Sequence, residues 1–260
     1  MQQIFDSHAH YDDAAFDPDR AALLASLPGQ GVCGIINAAS NLASARAGIA
    51  LAAQYGYLYA AVGIHPLDAE TAPDLDNAMT QLRVLAAQPK VVAIGEIGLD
   101  FHYDVPRAIQ LPLLRRQLSL ANDLHLPVIL HDREAHGPML DLLREFRPAG
   151  VVHCFSGSVE MAREVLALGL YIGLGGATTF KNAVHPLEVA AMVPPDRLLL
   201  ETDAPYMTPV PLRGKRNDSA KIACTAEKIA AVRGVDPQTL CNETCQNACR
   251  LFGIDAEKLG

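Results

Sequence analysis

Met1-Gln2-Gln3-Ile4-Phe5-Asp6-Ser7-His8-Ala9-His10-Tyr11 opens the chain, and the residues that end its short apolar run decide the fold. An open doubly wound sheet wants a Gly-rich turn after its first strand. Here the run ends in imidazoles instead. Working outward, such runs recur at Gln3–Ser7, Val32–Ala38, Leu58–Ile64, Val91–Ile97, Pro127–Leu130, Val151–Cys154, Leu170–Leu174 and Leu198–Glu201. They are nearly continuous in Val, Ile and Leu rather than alternating, as in strands buried on both faces of a parallel sheet.

Helical periodicity fills the intervals. Asp17-Pro18-Asp19-Arg20 predicts a helix start with Pro at the first helical position, and Pro28-Gly29 its end. Ser158–Leu168 repeats apolar residues at Met161, Val165 and Leu168 and stops at Gly169. Pro112, within Ala108–Leu124, places that helix's start near Gln110, where a first-turn Pro forfeits no bond. Two more helices are expected at Ser219–Arg233 and Pro237–Phe252. This alternation, without a linker or low-complexity stretch, predicts one domain over residues 1–260: an α/β fold, a single (β/α)8 TIM barrel with extra C-terminal helices.

Of the 260 residues, 50% are hydrophobic and 19% charged, which excludes an intrinsically disordered chain. A net charge of −8 excludes a wholly basic nucleic-acid coat, but not a local basic patch. The six cysteines are too scattered for a disulfide scaffold, no secretory signal precedes them, and no apolar run could span a membrane. The expectation is a soluble cytoplasmic protein with no membrane association and no obligate protein partner.

In a barrel the C-terminal ends of the strands converge on one face, where active sites are built. His8 and His10 end the first run, two apart and so on one side of a strand. Glu96 interrupts the apolar fourth run, and burying a lone carboxylate is costly without a cation or hydrogen bonds. His131 and His153 end the fifth and sixth runs, and Asp203 comes just after the eighth. Singly, each residue has a bland reading as a surface histidine, a core hydrogen bond or a structural ion pair. Together, four His, one Glu and one Asp exceed what one four-coordinate zinc needs and match a site for two divalent metal ions, Zn, Mg, Mn or Ni.

These residues lie in motifs that resemble the TatD family of metal-dependent hydrolases, within the amidohydrolase superfamily. The resemblance rests on Asp6-Ser7-His8-Ala9-His10, Val62-Gly63-Ile64-His65-Pro66, Gly95-Glu96-Ile97-Gly98-Leu99-Asp100 and Leu126-Pro127-Val128-Ile129-Leu130-His131. It continues through His153-Cys154-Phe155-Ser156-Gly157, Leu200-Glu201-Thr202-Asp203-Ala204-Pro205-Tyr206, Arg213-Gly214-Lys215-Arg216-Asn217 and Asn247-Ala248. It implies that His8, His10 and Asp203 hold one metal, His131 and His153 the other, and that Glu96 bridges them. It also implies a nuclease, a deoxyribonuclease of 3′-5′ exonuclease type, acting on DNA ends or short single-stranded DNA. Two departures stand out. Asp132 occupies a place where many members have Ser, and Cys241, Cys245 and Cys249 are unusual additions.

Asp203 would orient and deprotonate the attacking water, to which a cation pair supplies acidity. Basic residues at the rim, Arg133, Lys181, Arg213, Lys215 and Arg216, would meet phosphate. His65 is a candidate substrate contact, Glu201 a support one layer beneath Asp203, and His102 and Tyr103 candidates for the mouth. The three cysteines recur every four residues; they either hold a soft metal with Cys224 or, the preferred reading, bury a helix face. The alternative function keeps the binuclear site but hydrolyses a small amide, ester or lactone.

Overall fold

The computed structural model describes residues 1–259. Among the described residues eight parallel strands pair in chain order: β1 (Ile4–Ala9), β2 (Val32–Ala38), β3 (Leu58–Val62), β4 (Val91–Asp100), β5 (Val128–Arg133), β6 (Gly150–Val152), β7 (Tyr171–Leu174) and β8 (Leu198–Leu200). The helices between them are α1 (Arg20–Ser26), α2 (Leu42–Gln54), α3 (Leu75–Ala86), α4 (Arg107–Leu124), α5 (His136–Phe146), α6 (Val159–Ala167) and α7 (Val184–Met192). α8 (Ile222–Arg233) completes the alternation, so α9 (Pro237–Phe252) is the one additional α-helix among the described residues. This is a TIM barrel.

Two helix boundaries differ from expectation. α1 begins at Arg20, with Pro18 outside it, because Arg20 reaches back to the carbonyls of Tyr11, Asp12 and Asp13 and fixes the turn before the helix. α4 begins at Arg107 rather than near Gln110, so Pro112 lies inside it and removes the bond to the Ala108 carbonyl. Ala108 is exposed, and water can meet that carbonyl.

One apolar cluster lies between the strands and the surrounding helices. A second fills the barrel with Phe5, Ile36, Ala61, Ala93, Ile129, Val151, Tyr171 and Leu199, one from each strand, and adds Cys245, Ala248, Cys249 and Phe252 of α9. The α9 cysteines therefore serve as small core hydrophobes. Two residues beyond Ile129, Val151 and Leu199, on the same inward face, come His131, His153 and Glu201. The functional layer thus sits on an apolar plug.

Strict alternation would send His8 and Glu96 outward, three residues beyond the inward Phe5 and Ala93. The pairing shows what prevents this. Asp6 and Ala9 pair with Ile35 and Asn37, and Ile94 and Ile97 with Val128 and Leu130, so β1 and β4 each carry one extra residue. Such bulges switch the face a side chain addresses.

β1 and β8 close the ring through a bridge between Ala9 and Ala204, with Asp203 N–H donating to the His8 carbonyl and His10 N–H to that of Ala204. Behind this seam the buried Asp6 carboxylate accepts from Thr202 N–H, Thr202 Oγ1, Ser219 Oγ and His8 N–H. No helix among the described residues is long and apolar enough to cross a membrane.

Candidate active site

Glu96 stands at the centre of the inward cluster, and its two carboxylate oxygens face different partners. Oε2 lies 3.3 Å from His8 Nε2 and 3.4 Å from His10 Nε2. Oε1 lies 2.8 Å from His153 Nε2 and 3.1 Å from His131 Nδ1. Asp203 Oδ1 joins the first group, 3.7 Å from His8 Nε2 and 3.4 Å from His10 Nε2. The structure thus brings together all six residues singled out as ligands, in two sets that share Glu96. His8 and His153 stack across the junction with ring centroids 3.9 Å apart.

The outer partners of two rings fix their protons. His10 Nδ1 lies 2.8 Å from the Ala38 carbonyl, a pure acceptor, so Nδ1 carries the hydrogen. Its Nε2 then turns a lone pair toward Glu96 and Asp203. His131 Nε2 donates to Asp100 Oδ2 at 3.0 Å, leaving the Nδ1 lone pair facing Glu96 Oε1. Lone pairs aimed at carboxylates repel unless positive charge lies between them, so this donor set fits divalent cations with outer partners orienting the rings. His65 is built the other way. Its Nδ1 accepts from Leu67 N–H at 3.1 Å, so Nε2 presents a hydrogen to Glu96 Oε1, 3.4 Å away. It is placed as a donor.

Without cations, protons meet the same demand. Burial works against the charged form of His10, but Asp203 and Glu96 outweigh it and lift the ring to about 10. His131, opposed by burial and favoured by Asp100 and Glu96, rises to about 9. His8, buried and beside His153, falls to about 4. Burial raises the carboxyls of Glu96 and Asp203, but the surrounding imidazoles prevail and hold both below the ordinary range. Burial lifts Glu201 to about 8. One of its oxygens accepts from Cys154 N–H and lies 3.8 Å from His153 Nδ1, which puts Glu201 behind that ring.

The cluster floors a cleft of about 740 Å³ whose walls include His65, Tyr103, Arg133, Cys154, Tyr206 and Met207. Tyr103 is there as expected, whereas His102 is tied to Glu134 and does not line the cleft. The basic rim divides. Arg133 lines the cleft and stacks over Tyr103, while Lys181 and Arg213 line a separate depression and Lys215 is exposed on the loop after β8. Arg216 departs from expectation: both its terminal nitrogens bind the Asp19 carboxylate at 2.7 Å, so its charge is spent on that ion pair. Asp100 was missed as a support, although its place at the end of the Glu96 motif could have found it. The cysteines take no part in the groups able to hold a metal among the described residues.

The profile described as TatD related DNase matches residues 5–253. The metal-dependent hydrolase YabD of Bacillus subtilis is 38% identical over 256 residues, 97% of this chain and 100% of the relative. The 3'-5' ssDNA/RNA exonuclease TatD of Cronobacter sakazakii is 38% identical over 96% of this chain and 97% of that relative. The crystal structure of YJJV, a TatD homologue from Escherichia coli K12, matches with a TM-score of 0.91 at 36% identity, covering 97% of this chain and 99% of that one. With its His and carboxylate cluster in the mouth of a TIM barrel, the chain belongs to the TatD family of metal-dependent hydrolases.

Proposed function

We propose that the chain hydrolyses phosphodiester bonds of DNA, working at 3′ ends or on short single strands. The observation that carries this reading is the division of Glu96 between two sets of donors. His8, His10 and Asp203 would hold one divalent cation, His131 and His153 the other, with Glu96 shared. When bound, such a pair acidifies a water and neutralises charge at phosphate.

The chain's own groups do the rest. The Asp203 carboxylate, kept ionised by its imidazole neighbours, is positioned to orient the attacking water and accept its proton. His65, once its Nε2 hydrogen is released from Glu96, and Arg133, with its planar fork, would meet phosphate oxygens. Tyr103 and Tyr206, 51% and 54% exposed beside the cleft, offer ring faces to a terminal base. The relative named a 3'-5' ssDNA/RNA exonuclease supports this choice of substrate.

The test is metal analysis of untagged protein, reconstitution with single cations, and an assay on a 3′-labelled single-stranded oligonucleotide. Mononucleotide release that vanishes on chelation and in Asp203→Ala is expected. No release under any loading, alongside rapid hydrolysis of a small ester or lactone, would replace the phosphodiester reading with the other reaction class.

A further inference from the structure

We propose that the depression formed by Phe180, Lys181, Asn182, Val210 and Arg213 is a second binding subsite, which grips the phosphate and base of a nucleotide upstream of the one in the cleft. The inference rests on the phosphodiesterase reading and deepens it.

The cleft itself is poor in positive charge. Its lining carries Asp68, Glu96, Asp100, Asp132 and Asp203 against the single guanidinium of Arg133. Cations bound there would be largely balanced by these carboxylates, so a polyanionic strand needs further positive groups. The neighbouring depression, about 350 Å³, has the opposite character: its lining holds two cations, an amide, a Phe and a Val, and no acid.

Neither cation is spent elsewhere. Lys181 is exposed and makes no ion pair among the described residues. Arg213 stacks over the Phe180 ring at 4.0 Å, and its hydrogen bond is a long 3.5 Å contact with the Thr208 carbonyl. Arg115, Arg144 and Arg216, by contrast, are neutralised by Glu145, Glu164 and Asp19. A guanidinium held 4.0 Å over a ring, with one long hydrogen bond and no carboxylate partner among the described residues, suits both base stacking and phosphate.

The loop after β8 joins the two places. Met207 lines the cleft and Val210 the depression. Three residues span at most about 11 Å, within reach of a nucleotide or two. The loop is anchored, since Val210 N–H donates to Thr179 Oγ1 at 2.8 Å and Thr208 Oγ1 to the Lys215 carbonyl at 2.6 Å.

The test uses the cation-loaded protein on single-stranded DNA from dinucleotide to dodecanucleotide, together with anisotropy binding of a fluorescent phosphorothioate hexanucleotide. The wild type is expected to gain in kcat/KM with length. In Lys181→Ala/Arg213→Ala that gain should shrink about fivefold to twentyfold, mainly through KM, and the salt slope of hexanucleotide binding should fall by about 1.4. Lys228→Ala, an exposed cation on α8, should leave length dependence unchanged. Lys181→Ala alone preserves the stack of Arg213 on Phe180 and keeps the test open if the double variant misfolds. Hydrolysis with an unaltered length series and salt slope in the variants overturns the subsite while leaving the activity intact. Salt-dependent hexanucleotide binding that the variants weaken, without hydrolysis of any DNA, overturns the activity and supports the subsite.

Discussion

The Asp100 carboxylate accepts a hydrogen bond from Nε2 of His131 across 3.0 Å, so a residue outside the central cluster decides which nitrogen of that ring faces Glu96. Asp100 is itself pinned, its N–H to Gln110 Oε1 at 2.9 Å and its carbonyl to Gln110 Nε2 at 2.7 Å. Its carboxyl, raised by burial but lowered more by His131 and the backbone N–H of His102 and Tyr103, is held below its usual value and stays an acceptor.

Asp100→Asn removes the charge and offers His131 a weaker acceptor that can also turn its amide nitrogen inward. Cation affinity on the His131 side should fall about 10–100-fold, with kcat falling at limiting metal and recovering in part at high metal. A metal titration followed by activity checks this. Unchanged affinity would mean that packing, rather than the carboxylate, orients the ring.

Protons and cations compete for the same lone pairs. In the metal-free chain His10 and His131 sit at about 10 and about 9, so at neutral pH both rings are protonated. Loading must then release about two protons, and apparent affinity must rise with pH until it passes about 10. Calorimetric titration at neutral pH in two buffers of different ionisation enthalpy reads the release directly. Heats independent of the buffer would show that the lone pairs were already free.

The cluster of six side chains was legible in the sequence because imidazoles and carboxylates ended separate apolar runs, and the run count pointed to the barrel. How His8 and Glu96 reach the interior was not. Alternation from Phe5 and Ala93 points both outward, and only the extra residues in β1 and β4, visible as shifts against β2 and β5, turn them in. Nor could charge alone sort the rim. Arg216 and Arg213 lie three residues apart, yet one is spent on Asp19 and the other lies open over Phe180, because partners come from distant segments.

Gly173 faces inward on β7 between His153 and Glu201. A methyl group there would lie 2.5 Å from Glu201 Oε2 and 3.1 Å from His153 Cα. Gly173→Ala should therefore cost about 1–3 kcal/mol by overpacking and displace His153, lowering kcat beyond what lost stability explains. Thermal unfolding beside kcat at low temperature separates the two effects. A variant with wild-type kcat and Tm would show that the Glu201 side chain can swing aside.

The barrel seam and the cluster share residues, which makes Asp6 a test of both. Its oxygens take Thr202 N–H at 3.0 Å, Thr202 Oγ1 at 2.6 Å, Ser219 Oγ at 2.7 Å and His8 N–H at 3.2 Å, all buried. Asn in that place has one oxygen and an amide that cannot accept, so at least one buried donor is orphaned. Asp6→Asn should cost about 2–4 kcal/mol. The loss would not be merely global, because the segment Thr202–Ala204 carries Asp203, and Asp203 N–H is tied to the His8 carbonyl at 2.9 Å. Loosening it should weaken cation binding by His8, His10 and Asp203 well below the unfolding temperature, while the His131 and His153 side keeps its affinity. Two-step metal titrations of the folded variant distinguish the cases: equal weakening of both steps, or of neither, would mean that the Asp6 network supports the barrel without positioning Asp203.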